Sequence, residues 1–167
     1  LNGLVHLPLV LPPVVTGYLL LIVFGKQGAV GGFLYDWFGI TLAFRWTGAA
    51  LAAAIMGFPL MVRAIRLGFE AVDAGLEDAA RTLGASRARV FGTVTLPLVM
   101  PAILAGAVLG FAKALGEFGA TITFVAAIPG QTQTIPSAIY GLLQVPNQES
   151  DVIVLVSISV ALAMGAL

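Results

Sequence analysis

Residues 90–112 read VFGTVTLPLVMPAILAGAVLGFA and contain no Lys, Arg, Asp or Glu. A helix needs about 20 mostly apolar residues to cross the hydrocarbon core of a membrane. We therefore predict a membrane span that begins at Leu98 and continues past Lys113 and Glu117 towards Val125.

Three further uncharged runs lie outside this stretch. Residues 7–24 and 46–62 predict two earlier spans, and residues 152–167 predict the start of a later one. Between them, residues 26–45 are rich in glycine, and we expect a loop there with an interfacial helix or a re-entrant turn. Residues 128–151 are rich in Pro, Gln and Thr and predict another loop. The expected fold is an all-α, polytopic transmembrane helical bundle with about four spans.

The composition agrees with a membrane protein. Of 167 residues, 59% are hydrophobic and 10% are charged, and the mean hydropathy is +1.04. The formal net charge of zero excludes the basic surface that nucleic-acid binding requires. With no cysteine and one histidine, we expect no metal site and no thiol chemistry. The chain starts without Met and stops inside an apolar run, so we expect one transmembrane domain over residues 1–167, truncated at both ends.

The positive charges predict the orientation of the spans. Five of the eight Lys and Arg residues fall between the second and third expected spans, namely Arg63, Arg66, Arg81, Arg87 and Arg89. Loops rich in Lys and Arg face the cytoplasm. We therefore expect residues 63–97 in the cytoplasm and residues 26–45 and 126–151 on the outer side.

The cytoplasmic segment predicts a short amphipathic helix, a turn and a second helical turn. The apolar residues that recur at helical spacing on one side are Val72, Leu76, Ala79, Ala80 and Leu83. Asp73 is placed to cap the first helix, Gly84 to end it in a left-handed conformation, and Ser86 to cap the second turn. We also expect an ion pair between Glu77 and Arg81. The apolar face either folds back on the spans or binds a partner.

The spacing Asp78-Ala79-Ala80, Gly84, Val94 and Leu96-Pro97 resembles the EAA loop of permease subunits of bacterial ABC importers. Asp78 stands where that family prefers Glu, and Val94 where it prefers Ile. The resemblance implies that residues 67–97 form a coupling loop that docks on a separate ATPase subunit. The implied docking residues are Leu76, Glu77, Asp78, Ala79, Ala80, Arg81, Leu83, Gly84, Ala85, Ser86 and Arg87.

A second set of motifs is similar to the molybdate permease branch of that family and its sulfate relatives. These are residues 112–121 (AKALGEFGAT), 128–136 (IPGQTQTIP) and 58–64 (FPLMVRA). Such a permease would import an oxyanion, molybdate or tungstate, with sulfate or thiosulfate as the alternative. The implied partners are a second permease copy, an ATPase dimer and an extracytoplasmic binding protein.

No phosphate-binding Gly-x-x-x-x-Gly-Lys-[Ser/Thr] loop occurs in the chain. ATP and Mg²⁺ are therefore expected on the partner ATPase, with no cofactor bound by this chain. Ser157 and Ser159 have no basic or acidic partner in their own span, which argues against an intramembrane enzyme. A passive channel would leave the amphipathic loop unexplained. We expect a transport subunit rather than an enzyme.

Charged and polar residues near the end of the third expected span form a candidate translocation path or gate. They are Lys113, Glu117, Phe118 and Thr121. In a continuous helix, Lys113, Glu117 and Thr121 would share one face with Gly106 and Gly110. The alternative is that Lys113 and Glu117 pair with each other at the outer interface. The loop with Gln131, Thr132 and Thr134 is either a contact surface for a binding protein or a solvated turn.

Overall fold

A computed structural model describes residues 2–166, and the regular elements in that range are helices. They are α1 (Asn2–Val10), α2 (Pro13–Phe24), α3 (Ala29–Phe38), α4 (Trp46–Glu70), α5 (Ala74–Thr82), α6 (Arg87–Val90), a π-helical turn (Phe91–Thr95), α7 (Leu96–Leu115), α8 (Gly119–Val125), α9 (Ile135–Leu142) and α10 (Glu149–Ala166). The chain divides into two compact units, residues 60–110 and the remainder. The expected all-helical class is confirmed.

Among the described residues, two helical segments are long and apolar enough to cross a membrane. One is α4, and the other is the continuous helix Arg87–Leu115, which contains the π turn. The pair α2 and α3 passes the same test together but is bent by 44°, as in a broken span or a re-entrant loop. The structure therefore has two or three candidate spans where the sequence predicts about four. The glycine-rich segment contains a helix, α3, and its bend relative to α2 is compatible with the re-entrant alternative as well.

The first expected span, residues 7–24, is not continuous. Helix α1 ends at Val10 and α2 begins at Pro13. Proline lacks an N–H group and favours the first position of a helix, so Pro13 starts a new helix rather than extending the previous one. The second span is longer than expected, because α4 continues past Val62 to Glu70.

The prediction that the third span continues to Val125 is wrong. Helix α7 ends at Leu115, and residues 116–118 separate it from α8. The break contains Gly116, whose backbone freedom disfavours a helix. Residues 128–151 are also not all loop, because Thr134 and Ser137 form a reciprocal capping box that starts α9.

The larger unit has its core between α2, α4 and α8. Its buried residues are Leu20, Ala52, Met56, Ala120, Phe124 and Val125. Helices α2 and α8 approach closely at Gly17, where a Cβ atom would lie 2.5 Å from the carbonyl oxygen of Ala120. Small residues at such positions let two helix backbones approach. This packing fixes the position of α8, which carries the candidate gate residue Thr121.

In the smaller unit, α4 and α7 pack through small residues. A Cβ atom on Gly106 would lie 3.0 Å from the carbonyl oxygen of Met61, and one on Gly68 would collide with the side chain of Ala102. Close backbone approach of this kind is typical of helices that associate within a membrane.

Candidate functional site

The amphipathic segment of the smaller unit folds as the sequence predicts. The carboxylate of Asp73 accepts a hydrogen bond from the backbone N–H of Gly75 at 2.8 Å and caps α5. Gly84 follows with φ of 84°, a left-handed conformation that glycine adopts without steric cost. Ser86 then accepts from the N–H of Arg89 at 3.4 Å and caps α6. A capped helix, a tight turn and a second short helix result.

Three charged side chains along α5 pair with one another. Arg81 donates to Glu77 at 3.1 Å, as predicted, and also to Asp78 at 2.8 Å. Such exposed pairs each contribute little to stability, about 0.3–0.5 kcal/mol. They nonetheless hold the Arg81 side chain over the acidic first turn of α5 and leave the opposite, apolar face free of charge.

The apolar face of α5 is largely open to the surroundings. Leu83 is 88% exposed and Leu76 is 50% exposed, while Ala80 is half-buried. The implied docking residues all lie in this element. Leu76, Glu77, Asp78, Ala79, Ala80 and Arg81 are in α5, Leu83, Gly84, Ala85 and Ser86 connect the two helices, and Arg87 begins α6. Leu76 in α5 and the C-cap residue Leu83 lie two helical turns apart on the same side, and exposed leucines that share a face can form part of a protein contact surface.

Thr95, which the sequence analysis did not single out, belongs to the same site. Its hydroxyl donates to Oε1 of Glu77 at 2.5 Å, and Thr95 is only 6% exposed. The two residues are eighteen positions apart. The sequence holds no signal for this contact, because it depends on how α5 folds against the π turn.

Lys113 and Glu117 form an ion pair, with Lys113 Nζ 3.0 Å from Glu117 Oε2. The Glu117 side chain is 1% exposed, whereas that of Lys113 is 32% exposed. The second carboxylate oxygen of Glu117 accepts from the N–H of Ala120 at 2.9 Å. Glu117 thus connects the last turn of α7 to the first turn of α8, with both oxygens satisfied.

The other two candidate gate residues surround this break. Thr121 is buried, and its hydroxyl donates to the carbonyl oxygen of Phe118 at 2.9 Å. The Phe118 ring lies 5.1 Å from the ring of Tyr140 in α9. The predicted single helical face is wrong, because Glu117 and Thr121 lie beyond the end of α7. The structure still brings Lys113, Glu117 and Thr121 into one neighbourhood.

The polar loop after α8 is only partly available for contacts. Thr132 is buried, and its hydroxyl donates to the carbonyl oxygens of Val125 and Ala126 at 3.1 and 3.2 Å. Thr134 caps α9. Gln131 and Gln133 remain exposed. Both threonines therefore stabilise the loop, which neither reading of the sequence predicted.

A family comparison identifies the class of protein that this arrangement belongs to. Residues 1–167 match the family described as "Binding-protein-dependent transport system inner membrane component". The chain belongs to this family. It is a multi-pass inner-membrane transport subunit rather than an enzyme, and it works with a substrate-binding protein and an ATPase.

Individual relatives refine the comparison. The chain is 65% identical over 167 residues to the molybdenum transport system permease protein ModB of Escherichia coli strain K12, covering all of this chain and 73% of that protein. It is 60% identical over 149 residues to ModB of Haemophilus influenzae, covering 89% of this chain and 65% of that protein. A chloroplastic sulfate permease of Chlamydomonas reinhardtii is 38% identical over 167 residues, covering all of this chain and 45% of that protein.

Proposed function

We propose that this chain is the permease subunit of an ATP-driven importer that carries molybdate or tungstate into the cell. The observation that carries the proposal is the 65% identity to a molybdenum permease over the whole chain. Identity to the sulfate permease is 38% over the same length. Sulfate or thiosulfate import is therefore the second candidate.

The coupling element in this proposal is the segment from Asp73 to Val90. A capped helix moves as a rigid body, and the exposed leucines Leu76 and Leu83 offer it an apolar contact with an ATPase subunit. The five arginines in residues 63–97 favour a cytoplasmic location for this element, where ATP is available. ATP and Mg²⁺ bind to the partner, which supplies the hydrolysis.

The gate in this proposal is the break between α7 and α8. Lys113 is partly exposed and offers a positive charge to a divalent oxyanion, while Glu117 holds that cation when no anion is present. Phe118 and Thr121 lie at the same break, next to Glu117. An arriving anion would compete with Glu117 for Lys113. Release of this ion pair would free the two helix ends at the break and so open the path.

The complete transporter in this proposal contains two copies of the permease, two ATPase subunits and one binding protein on the outer side. Two copies are needed because paired ATPase subunits close on each other, and each requires its own coupling helix. The exposed glutamines Gln131 and Gln133 are available for contact with the binding protein.

Transport by the reconstituted complex tests the proposed function. The full-length permease would be placed in liposomes with its ATPase and its binding protein, and uptake of molybdate, tungstate and sulfate would be measured with ATP present. We expect molybdate and tungstate to accumulate and to stimulate ATP hydrolysis. If only sulfate accumulates, the transported anion is sulfate and not molybdate or tungstate. If none of the three accumulates, the proposal is refuted.

A further inference from the structure

The contact between Glu77 and Thr95 joins the coupling element to the start of the spanning helix. The Thr95 hydroxyl donates to Oε1 of Glu77 at 2.5 Å. Thr95 is buried, and the Glu77 side chain is 25% exposed. A hydrogen bond to an ionised acceptor in such a place is stronger than one between neutral groups at the surface.

The position of Glu77 is fixed from two sides. While Oε1 accepts from Thr95, Oε2 accepts from Arg81 at 3.1 Å. Arg81 in turn donates to Asp78 at 2.8 Å. The carboxylate is therefore held between its own helix and the π turn, so a displacement of α5 acts directly on Thr95.

Thr95 is the last residue of the π turn Phe91–Thr95, two residues before Pro97. Proline cannot donate the backbone hydrogen bond of a regular helix, and a π turn accommodates the resulting irregularity. The turn also contacts α4, because the ring of Phe91 stacks on that of Phe69 with 6.5 Å between centroids. It is the irregular joint between α6 and α7.

We propose that Glu77 and Thr95 are a pair of positioning residues through which movement of α5 reaches the π turn and helix α7. This inference rests on the proposed function, since it assigns a role within ATP-coupled transport. The pair touches neither ATP nor the transported anion. Its loss is therefore expected to uncouple hydrolysis from uptake rather than to prevent either partner from binding.

The variant Thr95→Val removes the hydroxyl and keeps the size and branching of the side chain. Thr93→Val is the matched control, because Thr93 lies in the same π turn but is exposed and donates to the carbonyl oxygen of Arg89 in its own helix. Thr95→Ser retains the hydroxyl. All three would be assayed as the full-length permease in liposomes with its ATPase and binding protein.

We expect Thr95→Val to retain the ATPase and hydrolyse ATP, while the amount of molybdate imported per ATP falls about tenfold. Thr95→Ser should restore most of that ratio, and Thr93→Val should leave it unchanged. A merely structural role would lower assembly and hydrolysis together. An unchanged ratio in Thr95→Val would overturn the inference.

Glu77→Ala removes the same contact from the more exposed side, in case the Thr95→Val permease does not fold. Because Glu77 also belongs to the implied docking residues, ATPase binding by this variant is measured as well, and the ratio is taken with enough ATPase to saturate the permease. We expect the same fall in molybdate imported per ATP, and an unchanged ratio would again overturn the inference. No ATP-driven uptake by the unaltered complex would instead refute the proposed function, and the inference with it. If the unaltered complex shows normal uptake, the proposed function stands, and an unchanged ratio in the variants then refutes only the role of Glu77 and Thr95.

Discussion

Gly84 illustrates how a single residue sets the shape of the coupling element. Its φ of 84° disfavours a side chain, although the space around it is open. We predict that Gly84→Ala costs about 1 kcal/mol and lowers the affinity for the ATPase about fivefold. Gly92 is also surrounded by open space but lies in the π turn without a positive φ. Gly92→Ala should retain full affinity, measured by titrating the ATPase onto the permease in detergent.

An equal effect of the two alanine substitutions would contradict this account of Gly84. Open space at both sites means that an alanine side chain collides with nothing at either one. The comparison therefore isolates the backbone conformation as the cause of any difference.

At Gly17, unlike at Gly84, there is no room for a side chain. A Cβ atom there would lie 2.9 Å from the Cα atom of Ala120 and from the Cβ atom of Thr123. We predict that Gly17→Ala separates α2 from α8 and lowers the free energy of unfolding by about 1–3 kcal/mol. Gly141→Ala is the control, since nothing lies near that position. Thermal unfolding in detergent measures both, and equal midpoints would contradict the predicted close packing.

The sequence predicted the roles of residues that cap or terminate their own helix, but not the contacts between residues on different elements. Asp73, Gly84 and Ser86 act within a few positions of their own location, so the sequence sufficed to assign their roles. Thr95 and Thr132 donate to residues that precede them by 18 and 7 positions, Glu77 and Val125. Their burial follows from how the helices fold together, which spacing alone does not predict.

Among the helices, the break between α7 and α8 depends on Glu117. We predict that Glu117→Ala lowers the free energy of unfolding by about 1–3 kcal/mol, because Ala120 loses its hydrogen-bond acceptor and Lys113 loses its partner. Glu117→Gln should cost less, since its amide oxygen still accepts from Ala120. Glu70→Gln is the control, because its ion pair with Arg66 is exposed on both sides.

Chemical or thermal unfolding of these variants distinguishes a structural pair from a gate. A large loss of stability in Glu117→Ala supports the pairing seen in this conformation. If stability is unchanged while uptake is lost, Glu117 acts only during transport, and the account of the helix break is wrong.

Helix existence was predicted better than helix extent. Apolar runs located α2, α4, α7 and α10, because burial in lipid requires them. The breaks at residues 11–12 and 116–118 were missed, since apolar residues continue on both sides of each break. Helix α9 was missed because its capping box lies in a stretch whose composition is typical of a loop.

For the whole molecule, composition alone indicated the membrane class, and the family comparison confirmed it. The proposed coupling to ATP hydrolysis rests on a narrower feature, the exposed apolar face of α5 and its C-cap residue. Leu83 is the most exposed residue of that face at 88%. Leu83 buries little surface within the described residues, and the proposal assigns it to the contact with the ATPase.

Association with the ATPase tests this central claim most directly. We predict that Leu83→Asp abolishes co-purification of the ATPase with the full-length permease and leaves the thermal midpoint of the permease unchanged. Leu143→Asp is the matched control, because Leu143 is 67% exposed and follows α9, outside the coupling element. It should retain the ATPase. Full ATPase binding and normal uptake by Leu83→Asp would contradict the account.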